Sequence, residues 1–282
     1  MTLDQALSGL VYLVAVLVLF LIGRFVFDKV LHRRFSLRHE LLEKDNVALA
    51  LAVAGYYFGL VIALGGVLFG PSQGLVLDLI DIGIYGLMSI VLLNFSIWVN
   101  DRILLSSFSN EKEIIEDQNA GTGAVEAGNH IAVGLIVAGA ISGQGGGVAT
   151  AAAFWIIAQA ILIVGARLYD LITPYSVHEE IEKDNVAVGV AFAGMLIGLG
   201  NIIGAAIYGD FYSWSENLLV LGQFVLFGFI LMPIVRWVTD KVLLPGASLT
   251  DELVNQEHPN LGAGIIEAFS YIAASFMIAW IV

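Results

Sequence analysis

Glu126 and Glu267 are the residues best placed to do chemistry. Each lies inside an apolar run, a turn or two past the start of that run. A charged side chain at mid-membrane depth costs about 2.5–3.5 kcal/mol on insertion scales, so intramembrane carboxylates usually mark use. Each glutamate has a polar neighbour four residues on, His130 after Glu126 and Tyr271 after Glu267. That spacing puts the pair on one helix face. Asn129 and Ser270 flank them, and Asn119 and Asn260 stand near the starts of the same two runs. Together these residues suggest two polar ladders that bind a small cation or a proton. The alternative is that both glutamates sit near the membrane interface and hydrogen-bond a neighbouring helix.

Other chemistries lack their residues. There is no cysteine, hence no disulfide, thiolate nucleophile or cysteine metal site. There is no phosphate loop with its lysine, no His-Glu-x-x-His and no Gly-x-Ser-x-Gly elbow. The five histidines (His32, His39, His130, His178 and His258) are not at ligand spacing, so no metal and no cofactor is expected. Gly143 to Gly147 has neither a strand before it nor a lysine after it, and it reads as an external turn. A formal net charge of −13 argues against nucleic acid as a partner. The chain is not expected to be an enzyme.

The elements that must position the glutamates follow from composition. Of 282 residues, 59% are hydrophobic and 13% charged, which suits lipid rather than water as the solvent. Eight spans are expected, at 8–31, 47–69, 75–105, 121–141, 148–173, 186–208, 217–244 and 261–281. The breaks carry turn residues: Gly70-Pro71, Gly143 to Gly147, Gly209-Asp210 and Pro245-Gly246. All 12 lysines and arginines fall at one set of span ends, Arg24 to Lys44, Arg102, Lys112, Arg167, Lys183, Arg236 and Lys241. The opposite turns hold only acids, Asp78, Asp81, Asp210 and Glu216, with Asp4 near the start. The positive-inside rule then predicts a multi-pass protein of a bacterial inner membrane with both termini outside. No basic residue precedes the first apolar run, so it is expected to be a true span and not a cleaved signal.

The chain repeats itself. EKDNVA at 43–48 recurs at 182–187, and WVNDRILL at 98–105 aligns at the same offset with WVTDKVLL at 237–244. Gly123 to Ala127 aligns with Gly264 to Ala268. Each half repeats again as two helical hairpins, since spans two, four, six and eight each begin just after an asparagine: Asn46, Asn119, Asn185 and Asn260. The expected fold is an all-α polytopic membrane protein of two parallel four-helix repeats, 1–142 and 147–282. A hairpin re-enters in the same sense, so the repeats share one orientation. Such repeats around an axis would suit a pore or ring-like bundle.

The duplicated unit, with Asp45, Asn46, Ala48, Ala52, Ala54 and Gly55 matched by Asp184, Asn185, Ala187, Ala191, Ala193 and Gly194, resembles the bacterial inner-membrane family described as domain of unknown function 350. The resemblance covers nearly the whole chain as two tandem copies. It implies a membrane protein and supplies no catalytic residues.

The remaining polar residues have simpler readings. Asp45-Asn46 and Asp184-Asn185 are expected to cap helix starts, or else to form a cytoplasmic mouth for ions. Gly55/Gly59, Gly194/Gly198 and Gly200/Gly204 are small-xxx-small spacings for close helix packing, which also permit a homodimer. Asn94, Gln159, Asn201 and Gln223 are expected to bond between helices. Arg24/Asp28, Arg167/Asp170 and Arg236/Asp240 read as interfacial ion pairs, with Trp98 and Trp237 in the aromatic belt at the same level. Acidic segments at 111–117 and 178–184 read as solvated loops. Two functions follow: a small-cation or proton channel or transporter using the paired carboxylates, or a membrane scaffold or envelope-stress component whose loops at 106–120 and 245–260 recruit a cytoplasmic protein.

Overall fold

The computed structural model describes residues 3–31, 35–70, 72–103 and 110–281. His32, Arg33, Arg34, Pro71 and the first part of the 106–120 loop lie outside the described residues. Among the described residues, eight helices are long and apolar enough to cross a membrane: α1 (Leu3–Phe25), α3 (Val47–Gly66), α4 (Leu75–Ile103), α6 (Ala120–Ile141), α7 (Val148–Ile172), α9 (Val186–Ile207), α10 (Trp214–Val238) and α12 (Leu261–Ile281). α1 and α10 continue as π-helical turns, Val26–Leu31 and Thr239–Leu243. The loops at one end of the bundle hold four short helices, α2 (Leu37–Leu42), α5 (Asn110–Ile115), α8 (Val177–Glu182) and α11 (Leu249–Val254). The acidic segments at 111–117 and 178–184 are therefore partly helical. The signal for this was a Ser N-cap before α2, α8 and α11, whose hydroxyl accepts an amide of the first turn.

The fourfold unit is built on one asparagine and one glutamate. Asn46, Asn119, Asn185 and Asn260 each accept an amide of their own helix, from Leu49, Thr122, Val188 and Ala263. The amide groups of the first three then reach forward to the next unit. Asn46 donates to the Ile114 carbonyl at 2.8 Å, Asn119 to Ile181 at 2.7 Å and Asn185 to Leu253 at 2.8 Å. Glu113, Glu180 and Glu252 receive the same side-chain amides of Asn119, Asn185 and Asn260. Asn260 makes no such forward bond among the described residues and is exposed. All four helix starts thus lie at one end, and the two halves share one orientation.

The aspartates before the caps play a different part from the one expected. Asp45 and Asp184 do not cap their own helices. Together with Gln118 they adopt the left-handed conformation, with φ of 53°, 62° and 53°, that turns the chain into the cap. The Asp184 carboxyl accepts the Ala120 amide at the start of the adjacent helix, and burial outweighs this bond to hold its pKa above the usual carboxylate range.

The helices form two stacked rows and not a ring. α3, α6, α9 and α12 make an inner row in that order, and α1, α4, α7 and α10 make an outer row laid over its grooves. The inner row is closed by backbone contact at small residues. An added Cβ on Gly200 would fall 2.6 Å from Ala132 Cα, and one on Gly128 would fall 2.6 Å from Ala193 Cα. Gly55 faces Ala127, Gly59 the His130 carbonyl, Gly194 Ala268, Gly198 the Tyr271 carbonyl and Gly204 the Leu135 carbonyl. Lipid tails are as apolar as Leu, so close backbone approach is what joins such helices. The expected central axis is absent because the small-residue faces of α6 and α9 lie on opposite sides of each helix, which extends a row instead of curving it shut.

The two ends of the row differ. On α3 the outward face includes the exposed Ala50 and Ala54, and Gly65, around which a Cβ would meet nothing within 4 Å. On α12 it carries Phe269, Phe276 and Trp280, all exposed.

Candidate functional site

Both glutamates are buried inside the protein, Glu126 at 4% and Glu267 at 0% exposure. Neither faces headgroups, and the two sites are built differently.

In the first half, Glu126 Oε1 accepts from Asn110 Nδ2 at 2.7 Å and Oε2 stands 3.4 Å from His130 Nε2. The i, i+4 register on α6 makes this pair possible. His130 Nδ1 lies 3.1 Å from the Ala52 carbonyl oxygen on α3. A carbonyl only accepts, so Nδ1 carries the hydrogen and Nε2 is the nitrogen turned to Glu126. The imidazole is fixed edge-on by aromatic rings, Phe27 at 6.1 Å and Tyr56 at 5.8 Å between centroids. Phe27 stacks on Tyr56, whose hydroxyl donates to the Gly23 carbonyl at 3.0 Å. Asn129, three residues past Glu126, accepts from Asn100 on α4 at 2.7 Å.

In the second half, Arg236 on α10 donates through Nη1 to Glu267 Oε1 at 2.5 Å. Tyr169 on α7 donates to the same oxygen at 3.2 Å. Oε2 has no hydrogen-bond partner. Tyr175 lies under the Arg236 guanidinium, 5.5 Å from ring centroid to Cζ. Burial, and after it the Glu267 charge, push its phenol up to about 12, so it stays protonated at neutral pH. In the repeat alignment the residue matching Arg236 is Ile97. One carboxylate is therefore held by an arginine and the other faces a histidine.

The structure separates other residues that the sequence placed together. Tyr271 donates to the Met232 carbonyl, not to Glu267. Asn119 and Asn260 cap helices and do not reach the glutamates, and Ser270 donates to Ile266 in its own helix. The interfacial Arg/Asp pairs at 167/170 and 236/240 do not form. Asp170 and Asp240 instead accept the Val177 and Leu249 amides, opening α8 and α11, while Arg167 reaches the Ile103 carbonyl. Asp240 also pairs with Lys241 at 2.8 Å. Asp28 pairs with Lys29. Asn94 bonds Tyr56 and Asn201 bonds Ser275 across helices, whereas Gln223 is exposed and Gln159 bonds to nothing. Tyr169, Asn110 and Asn100 were missed; only a knowledge of helix rotation brings them in.

Cavities lie at the two ends. A space of about 190 Å³ beside Arg236, Trp237, Asp240 and Thr250 opens at the end that carries the short helices. At the other end, two adjoining cavities of about 140 and 300 Å³ share Gln73, Asp81, Tyr85 and Gln144. Neither glutamate lines these cavities.

Comparison with known proteins gives two kinds of match. The family model described as Domain of Unknown Function (DUF350) matches twice, at residues 1–141 and 145–282. A UPF0719 transmembrane protein of Aquifex aeolicus is 23% identical over 259 residues, 90% of this chain and 93% of that protein. The UPF0719 transmembrane protein YshE of Bacillus subtilis is 27% identical over 128 residues, 45% of this chain and 89% of that protein. No solved structure matches.

Proposed function

Starting from a chain that belongs to the DUF350 family, whose description carries no activity, we propose that Glu126 and His130 take up and release a proton within the membrane, in the service of proton or small-cation transport. The observation that carries this reading is the pair itself: a buried carboxylate 3.4 Å from Nε2 of a buried imidazole whose Nδ1 is committed to a carbonyl. Such a pair holds one proton in either of two places, as neutral acid and imidazole or as carboxylate and imidazolium. Histidine is the side chain whose charge changes between about pH 5 and 8. Glu267, by contrast, supports the second half as the structural partner of Arg236.

The test is proton flux into vesicles carrying the purified protein and an internal pH indicator. Wild-type flux should fall roughly tenfold or more in Glu126→Gln, and His130→Gln should flatten its dependence on pH between about 5 and 8. Flux that Glu126→Gln leaves intact would remove the proposal.

The end bearing the short helices holds the described basic residues, and by the positive-inside rule it is the cytoplasmic one in a bacterial inner membrane. This is readily checked, since the chain has no cysteine. Gln73→Cys should react with an impermeant maleimide from outside intact cells, and Gln256→Cys only after lysis. The reverse pattern would invert the topology.

A second reading, a scaffold that recruits a cytoplasmic protein, draws on the interlocked α5, α8 and α11, whose rim exposes Glu111, Glu116, Glu179, Glu182 and Asp251. Loss of a co-purifying protein on charge reversal of that rim, with no flux in any variant, would favour it over transport.

A further inference from the structure

The two adjoining cavities at the end opposite the short helices, of about 140 and 300 Å³, have Asp81, Tyr85, Gln73 and Gln144 as their common wall. No lysine, arginine or histidine lines either space. The frame is fixed by hydrogen bonds on both sides. Asp78 Oδ2 accepts from the Tyr12 and Ser72 hydroxyls, each at 2.5 Å, and Oδ1 accepts from the Gln73 amide at 2.8 Å. Across the space, the Gln144 amide donates to Asp210 at 2.7 Å, and the Gln144 carbonyl accepts the Phe211 amide at 2.8 Å. The cavities are thus built into the fold, as small-molecule sites usually are.

Asp81 has no such task. Among the described residues its carboxylate makes no hydrogen bond and no ion pair, and the side chains of Gln73 and Gln144 and the Tyr85 hydroxyl make no hydrogen bond either. The internal repeat shows what the turn itself needs. At the offset of 139, Asp78 corresponds to Asn217, which accepts the Tyr212 and Ser213 amides as Asp78 accepts that of Gln73. Asp81 corresponds to Val220. The first acceptor belongs to the turn, and the second carboxylate does not. Asp81 also lies about 9 Å along α4 from Leu75, and an ionisable side chain without a partner at that depth points to use.

The wall selects the ligand. A carboxylate with no base beside it calls for a cation. Among the described residues no three ligating side chains gather to hold a metal ion. A hydrated ion would gain nothing from Ile82, Ile141 and Phe154, which also line the space. A primary ammonium brings three N–H donors, for the carboxylate and for the amide oxygens of Gln73 and Gln144, and its alkyl chain suits the apolar side chains.

We propose that these joined cavities bind a small primary alkylammonium ion at the face read above as external, with Asp81 as its counter-ion. The site lies against Ile141, the far end of α6 from Glu126, and does not depend on the proton reading.

The test is saturation-transfer NMR of n-butylammonium with the full-length protein in detergent, at matched ionic strength. Asp81→Asn and Asp81→Val remove the charge, and the second half already carries valine at the matching place. Glu216→Gln removes an acid at the same end that lines neither cavity. The expected result is saturable binding that weakens about tenfold or more in both Asp81 variants, the usual size of a charge-assisted hydrogen bond, and stays unchanged in Glu216→Gln. Sodium and tetramethylammonium, which have no N–H, should displace the probe far less well than unlabelled n-butylammonium. No saturable binding, binding that survives in both Asp81 variants, or equal weakening in Glu216→Gln overturns the site. Displacement by sodium or tetramethylammonium as effective as by n-butylammonium overturns the class of ligand.

Discussion

Replacing Arg236 with methionine is expected to destabilise the protein by about 3–5 kcal/mol, the usual cost of breaking a buried ion pair from one side. Glu267 is fully buried, and of its two oxygens only Oε1 is bonded, to Arg236 at 2.5 Å and to Tyr169 at 3.2 Å. Without the guanidinium, the carboxylate must either stay ionised beside one phenol or take up a proton, and both raise the energy of the native state. Removing both partners should hurt far less, since apolar side chains of similar volume often replace a buried pair at little cost. Thermal unfolding in detergent of Arg236→Met, Glu267→Met and the double variant measures this directly. A double variant as unstable as Arg236→Met would show that the pair is not what holds this half together.

The second large effect is expected at Gly200, where the two halves meet. A leucine there would drive its Cβ to within 2.6 Å of Ala132 Cα, and neither backbone has a flexible end to give way. The α6–α9 seam would have to open along its length. The α3–α6 and α9–α12 seams, which rest on other glycines, stay closed. The measurement uses the halves, 1–142 and 147–282, expressed as separate chains. Their association in lipid should weaken by about 3 kcal/mol, roughly a hundredfold, in Gly200→Leu. An unchanged association constant would mean that the outer row, and not the glycine seam, joins the halves.

The two substitutions also mark what was legible in the sequence. The spans, the shared orientation and the glycine contacts could be read because each depends on local quantities: run length, the side on which lysines fall, and three- or four-residue spacing. The asparagine caps were legible for the same reason, although two of the four were first grouped with the glutamates. Lateral arrangement was not legible. Repeats of equal sense can close into a ring or extend as a strip, and the choice depends on whether the small faces of α6 and α9 lie adjacent or opposite. The partners of Glu267 were hidden likewise. Arg236 was assigned to Asp240 by spacing, but it bonds Glu267 on another helix, and Tyr169 lies 98 residues from that same glutamate. The His130 pairing was found because it is internal to one helix.

The unequal ends of the inner row bear on how such a chain can grow. The bulky side chains at Phe269, Phe276 and Trp280 act as a full stop behind the last unit, where no further helix could settle at backbone distance. The first unit has no such terminator, because Ala50, Ala54 and Gly65 leave it as receptive as any internal joint. Lengthening by tandem duplication is thus polar: an extra copy spliced ahead of the amino-terminal half meets a ready socket, while one added after the carboxy-terminal half must first have three aromatics pared away.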